Sequence, residues 1–541
     1  MLQHLIILTI VIPMAAGLVA LLFTGWRSAQ RGIGLGALVL NAAATLAIAA
    51  GVFRDGGAAI LVSQMGNWPA PFGISIVVDG LSAIMLAVCS VVTLGVFIYC
   101  IGQLPGNQQG GFFHPLYHLL VMGVQWSFVT GDLFNLFVAF EIMLMASYAL
   151  LVVGTSTQQM RQAYKYVILN LFASMMFVTC CGLIYGHTGT LNMADLTRMS
   201  HAGLLPSAST PAFVMLLFAF GLKTAIFPVW FWLPDTYPTV HAGIGALFSG
   251  LLTKVGAYVL VRTFVMILGN PDGPIAGAVQ PLILASAGVT MFLGVLGAVS
   301  MHSIRRILSI HIISQVGYMI LGVGLGVGVG IATESRELAV AGAIFFIIHN
   351  MVVKSALFLC GGLMQRHAGS DDLEQIGGLL SRAPLLGLLF FIAAMSLAGL
   401  PPLSGFFGKF LLIRETLATG HWTLATLALA TSLLTLLSML KIWSYGFWSP
   451  PRGLHVEEPQ KRPRTALGMA GAALLVCVAL SMGLGASVYF RGCLGAARTL
   501  VMPDAYVQAV LGPARSVPPL PAVAVAGADW HGMAMPKDGE R

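Results

Sequence analysis

Apolar stretches long enough to cross a bilayer follow one another along almost the whole chain, separated by short polar turns. They fall at about 4–24, 32–53, 79–101, 113–131, 133–153, 163–186 and 210–232. A second series falls at about 241–268, 276–300, 304–328, 339–365, 384–413, 423–448 and 465–490. The pattern predicts an all-α polytopic membrane protein of about fourteen transmembrane helices. Gly131-Asp132 is the only break between 113 and 153, and that stretch is split there because it is twice the length of one span. The run from Leu5 to Phe23 follows neither a basic segment nor a cleavage site, so it reads as a retained first helix. The helices divide the chain into residues 1–110 (the first three), 111–450 (the fourth to the thirteenth), 451–490 (the last) and 491–541. The final segment is rich in Ala and Pro from Pro503 onward and is expected to be a disordered tail.

Two of the spans carry an internal break. One reads Phe220-Gly221-Leu222-Lys223-Thr224-Ala225-Ile226-Phe227-Pro228; the other runs from Leu397 through Gly399-Leu400-Pro401-Pro402 to Gly408-Lys409. Proline removes a backbone donor and clashes with the preceding turn, so each helix is expected to unwind there. The breaks fall in the seventh and twelfth spans. A five-helix unit repeated once re-enters from the opposite face, which predicts two inverted five-helix repeats, each with a broken helix at the transport site.

Composition agrees with the membrane reading: the 541 residues are 57% hydrophobic and only 9% charged, too few charges to cover a soluble fold of this size. The net charge of +8 is scattered over short loops and reports orientation rather than nucleic-acid binding. With both termini outside, Arg27, Arg31, Arg161, Lys165, Arg305, Arg306, Arg366, Arg382, Arg452, Lys461, Arg462 and Arg464 fall inside. Arg54, Arg198, Arg262, Arg336 and Arg414 then fall outside, so the asymmetry puts both termini on the non-cytoplasmic side. The seven cysteines form no CxxC pair and read as small buried apolar residues. No GxxxxGK[ST] loop, CxxCH or facing histidine pair is found, so no cofactor and no metal is expected.

Of eight lysines, five fall within spans: Lys223, Lys254, Lys354, Lys409 and Lys441. Glu141 is the one acid clearly in mid-span. Each such charge costs about 2.5–3.5 kcal/mol at the bilayer centre, so six cost on the order of 15–20 kcal/mol, which demands a function. Lys441, in a span ending Trp443-Ser444-Tyr445, reads as a snorkelling lysine. Out of water an ammonium holds its proton much less tightly, so a lysine there can take and release one near neutrality, and a neighbouring charge decides which. His349 adds an intermediate station. It and Lys354 are five residues apart, on different sides of an α-helix unless a π-bulge intervenes. His241 and His311 read as packing residues, and His302, His367, His421 and His455 as interface or loop residues. The candidate line is therefore Glu141, Lys223, Lys254, His349, Lys354 and Lys409.

The runs that carry these residues resemble a known family. Asp132–Glu141, Gly221-Leu222-Lys223, Leu251–Tyr258, Arg305–Ser309 with Ser314–Tyr318, His349 with Lys354, and Gly399–Pro402 with Gly408-Lys409 resemble the antiporter-like subunits of Mrp-type multisubunit cation/proton antiporters and respiratory complex I. Asn67–Ile74 followed by Asp79–Ser82 is most similar to the D-type subunits of the Mrp (Mnh or Pha) antiporters. The resemblance implies a proton-translocating core over the fourth to thirteenth helices. It further implies Glu141 as coupling carboxylate, Lys223 as its partner, Lys254 and Lys354 as relay lysines and Lys409 near the exit. The implied partners are the other small and large membrane subunits of one complex, the lipid bilayer, protons and a monovalent cation, Na+ or K+. The alternative is a proton-pumping subunit of an NADH:quinone oxidoreductase or a membrane-bound hydrogenase.

Overall fold

The computed structural model describes residues 2–450, apart from 55, 110 and 155, and residues 465–512. The chain opens with α1 (Leu2–Leu22) and α2 (Arg27–Phe53). A short antiparallel hairpin follows, β1 (Leu61–Gln64) and β2 (Ser75–Val78), with Leu61 opposite Val78. The apolar pattern did not announce this hairpin, and it ends at the N-cap of the next helix. Then come α3 (Gly80–Gln103), α4 (Phe113–Val129), α5 (Leu133–Leu151), α6 (Thr157–Thr188), α7 (Thr210–Thr224), α8 (Ala242–Ile267), α9 (Pro274–Ser300), α10 (Ile304–Val327) and α11 (Thr333–Ala368). The broken span forms α12 (Pro384–Ala398) and α13 (Ser404–Ala418), followed by α14 (Trp422–Trp448), α15 (Thr465–Leu484), α16 (Ala486–Val501) and α17 (Asp504–Leu511).

Among the described residues, twelve helices are long and apolar enough to cross a membrane. The two remaining expected spans are the 17-residue α4 and the pair α12 and α13, each half being 15 residues long. Backbone groups in lipid must be satisfied within the protein, and several helix starts carry side-chain caps. Asp79 Oδ1 accepts from Ser82 N at 3.0 Å, Asp132 Oδ1 from Asn135 N at 2.8 Å, and Ser156 forms a capping box with Gln159. The most apolar stretches of α8, α10 and α11 are wholly enclosed by other helices, whereas α1, α2 and α14 keep lipid-facing sides. Helices apolar all round belong in the middle, and α8 and α11 are the ones that carry Lys254 and Lys354.

The internal repeat is visible in backbone hydrogen bonds. Gly131 and Asn192 flank α5 and α6, whose ends pair through Leu133 N to Leu191 O (2.9 Å) and Met193 N to Gly131 O (2.8 Å). The same two bonds recur around α10 and α11, from Ile304 N to Asp371 O (2.9 Å) and from Leu373 N to His302 O (2.8 Å). The helix breaks match as well. Ala225 (φ 66°) and Gly399 (φ 91°) both turn left-handed, Ile226 N bonds Gly221 O as Leu400 N bonds Met395 O, and Val229 N bonds Ile226 O as Leu403 N bonds Leu400 O. α10 comes five helices after α5, an odd offset, so the second unit runs through the membrane in the opposite sense. The units differ after the break: the first continues only as the turn Trp232–Thr236, the second as the full helix α13.

Two expectations need correction. Residues 491–511 are not disordered: α16 and α17 are helical, and Cys493, Ala496, Ala497, Leu500, Val501 and Tyr506 are buried. Alanine is the best helix former, so an Ala-rich composition did not exclude a packed amphipathic helix. Residues 513–541 lie outside the described segments. The loop charges also need revision, because Arg262 and Arg336 are buried within helices α8 and α11.

Candidate functional site

Glu141 lies in the middle of α5, partly buried, with Oε1 enclosed and without a hydrogen-bond partner. Lys223 lies at the C-terminal end of α7, one residue before the helix ends at the break, where a cation faces the free carbonyl end of the helix. Its ammonium donates to Ser174 Oγ at 2.9 Å and Asn170 O at 3.5 Å, both on α6, and stands 5.6 Å from the centroid of the Phe140 ring. The Glu141 charge acts on Lys223, yet the two form no ion pair among the described residues. They are set as an acid and a base in each other's field and not in contact.

Gly256 joins this first pair to the next station. A methyl group there would come within 2.3 Å of Thr224 Oγ1, so only glycine lets α8 lie directly on the residue after Lys223. Lys254, two residues earlier, is fully enclosed. Its ammonium bends back to Ser249 O at 2.6 Å, within the π-helical turn Phe248–Leu252, and to Thr253 Oγ1 at 3.1 Å.

The remaining predicted residues gather around α11. His349 and Lys354 face different neighbours, as their spacing requires, because the helix is regular from Thr333 to Ala368. The π-turns fall instead in α8 and at the end of α14. His349 Nδ1 is 2.8 Å from Ser404 Oγ on α13, which in turn is 3.0 Å from Ser396 Oγ on α12; His349 Nε2 has no partner. Lys354 donates to Leu308 O on α10 at 3.4 Å. Lys409 donates to Leu397 O and Ala398 O, each at 3.0 Å, and to Ser432 Oγ at 3.2 Å. These two carbonyls are the last of α12, so the broken helix supplies the oxygens that hold the ammonium. The charges of Lys254 and Lys409 both act on Lys354, and all three act on His349. The structure thus brings Lys254, His349, Lys354 and Lys409 into one interacting group, with Glu141 and Lys223 as a separate pair at its side.

Several residues escaped the sequence reading. His311 on α10, read as a packing residue, is fully buried, lies in the field of Lys354 and Lys409, and has Nε2 without a partner. Only the packing reveals it: His311 follows Leu308, whose carbonyl meets Lys354, by three residues on the same helix. Arg262, counted as a loop charge, is 2% exposed and pairs with the enclosed Asp79 at the N-terminus of α3. Glu415 is 2% exposed and sits beside Arg414, with Nε to Oε1 3.4 Å. Lys441 is half-buried, and its ammonium donates to Val299 O at 3.2 Å and Met301 O at 2.9 Å, closing the C-terminal end of α9. Among the described residues no group of three or more His, Cys, Asp or Glu side chains could hold a metal ion.

A family model described as "NADH:quinone oxidoreductase/Mrp antiporter, TM" matches residues 130–435. The D-type Na(+)/H(+) antiporter subunit of Alkalihalophilus pseudofirmus is 42% identical over 513 residues, covering 94% of this chain and 99% of that protein. Among solved structures, a chain of the Mrp complex from Dietzia sp. DQ12-45-1b superposes with a TM-score of 0.84 at 32% identity, covering 94% of this chain and 99% of that one. A chain of respiratory complex I from Thermus thermophilus shares the fold, with a TM-score of 0.77 at 23% identity over 94% of this chain and all of that one. A match of this extent over both breaks and every lysine of the line means that the chain belongs to the NADH:quinone oxidoreductase/Mrp antiporter family of membrane proteins.

Proposed function

We propose that this chain is the proton-translocating subunit of a multisubunit monovalent cation/proton antiporter in a bacterial cell membrane. The observation that carries this reading is the row of enclosed ammonium groups. Lys223, Lys254, Lys354 and Lys409 are each at most 4% exposed, on four helices, and their partners are carbonyl and hydroxyl oxygens rather than carboxylates. An ammonium without a neutralising partner in a low-dielectric interior releases its proton readily, and each release changes the field at the next site. Glu141 and Lys223 couple the row to a neighbouring subunit, Lys254 and Lys354 relay, His349 passes the proton toward α13, and Lys409 delivers it. The partners are the other membrane subunits of one complex, and the exchanged cation is Na+ or K+. The chain acts as a secondary transporter subunit and not as an enzyme. The antiporter reading is preferred to a redox-driven pump because the 42% identical relative is an antiporter subunit, whereas the likeness to complex I is one of fold.

In this reading both termini lie outside the cytoplasm. Taking the enclosed Arg262 and Arg336 out of the loop count leaves only Arg54, Arg198 and Arg414 on the outer side, which sharpens the asymmetry.

The deciding experiment is Glu141→Gln in the assembled complex, reconstituted in vesicles. The variant is expected to insert and assemble but to lose cation-driven proton movement. Wild-type exchange in this variant overturns the assignment.

A further inference from the structure

The first four helices, which the row of lysines does not use, enclose a second set of polar side chains. On α4, His114 and His118 are fully buried, one turn apart on the same face, and all four ring nitrogens are without a protein partner. On the same helix Gln125 has both side-chain polar atoms enclosed and unpartnered, and Asn41 on α2 repeats this. Gln30 leaves Oε1 without a partner. Native proteins pair nearly all buried polar groups with protein or with ordered water. Five such residues on two neighbouring helices therefore mark a place where internal water belongs.

Their order along the helices defines a direction. At the α4 N-terminal end, Gln109 Oε1 accepts from Arg31 Nε at 2.8 Å, and Gln30 Nε2 donates to Ala20 O at 2.9 Å and Gly111 O at 3.2 Å. His114 comes next, within the field of Arg31, and then His118. Both rings stand against Phe97, with centroids 5.5 and 5.7 Å apart. A methyl group at Gly34 would come within 2.9 Å of His118 Nε2, so α2 passes directly over the ring. Tyr117 then donates to Thr93 O at 2.6 Å, and Thr45 and Ser90 lie 2.7 Å apart. Gln125 is seven residues beyond His118, about 10.5 Å further along the axis. α4 and α8 touch about one turn beyond Gln125. Tyr258 donates to Phe128 O at 2.8 Å with ring centroids 5.0 Å apart, and one turn earlier on each helix stand Lys254 and Gln125.

We infer that these side chains line a second, water-filled branch that carries protons from the Gln30–Gln109 end past His114 and His118 to Gln125 and Lys254. The inference rests on the transport reading for its use, though not for its hydration. A neutral imidazole has one donor and one acceptor nitrogen, so it takes a proton at one and releases another at the other with no net change. The cargo is the proton and not the metal cation: the two imidazoles are the side chains in this set that can both take up and release a proton, and no carboxylate is among the five.

Two measurements on the assembled complex test it. Radiolytic hydroxyl labelling, read by mass spectrometry, marks side chains in contact with internal water. His114 and His118 are expected to label at a rate comparable to His349, and about tenfold faster than the enclosed ring of Phe128. Labelling no faster than Phe128 overturns the hydrated branch whatever the transport data show. In vesicles, His118→Leu is expected to slow exchange about tenfold, and His118→Asn, which keeps polar atoms, to retain most of it. Labelled rings with wild-type exchange in the assembled His118→Leu complex would leave the lysine row intact and overturn the branch as a conductor. Loss of assembly in His118→Leu transfers the decision to His118→Asn together with His114→Leu, and wild-type exchange in the latter overturns conduction equally.

Discussion

Asp79→Asn is expected to destabilise the protein far more than a change of one charged group at a helix end would suggest. The Arg262 guanidinium is 2% exposed and the Asp79 carboxylate fully enclosed. Arg262 Nη1 donates to Asp79 Oδ2 at 2.6 Å and Nη2 donates to Oδ1, while Ser82 Oγ at 2.9 Å and Tyr258 Oη at 3.1 Å take further donors. The rings of Tyr258 and Tyr506 stand over the guanidinium, each 5.4 Å from its centre. Asparagine keeps the N-cap to Ser82 N, so the cap is not lost. What remains is an arginine in a dry site without its counter-charge, which costs about 3–5 kcal/mol in buried pairs. Arg262→Met alone strands the carboxylate and should cost a similar amount. The two changes together remove both charges, and the double variant should recover most of the loss. Size-exclusion chromatography after a graded heat step measures the fraction of folded complex. The expected order is wild type, then the double variant, then both single variants. Single variants as heat-resistant as wild type, or losses that simply add, would refute the claim that the pair is a closed electrostatic unit.

Three further outcomes are expected. Cysteines placed one at a time along 220–232 and 398–412 should react with a small polar thiol reagent in clusters around Ala225 and Gly399, and reactivity confined to the helix ends would mean dry kinks. Truncation after Gly512 should leave folding intact, whereas truncation after Leu484 removes Tyr506 from Arg262 and the Arg498–Glu337 pair (3.1 Å), and should lose folded protein on heating; equal stability of the two would show that α16 and α17 are dispensable. Gly405→Ala places a methyl 1.9 Å from Ser396 O and 3.0 Å from the His349 ring, so it should cost about 1–3 kcal/mol by forcing α13 off α12. An unchanged heat profile would refute that close approach.

Hydrophobic runs by themselves determined which segments are helices in lipid, because a bilayer leaves an apolar stretch no other way to satisfy its backbone. The prolines at 228 and 401–402 determined where two of those helices break, and the cost of burying charge singled out Glu141 and the lysines. These are local or solvent-level effects, and a sequence carries them without its partners. The partners themselves belong to tertiary structure. That Lys441 closes the end of α9 depended on the carbonyls of Val299 and Met301, some 140 residues away. Whether Arg262 was a loop charge or half of an enclosed pair depended on Asp79, at a sequence distance of 183. His311 joined the row because α10 packs against α11, and residues 491–511 became ordered because α16 found a buried face against α3 and α11. A side chain's cost of burial is written in its own chemistry, but what repays that cost is the atom that packing places opposite it.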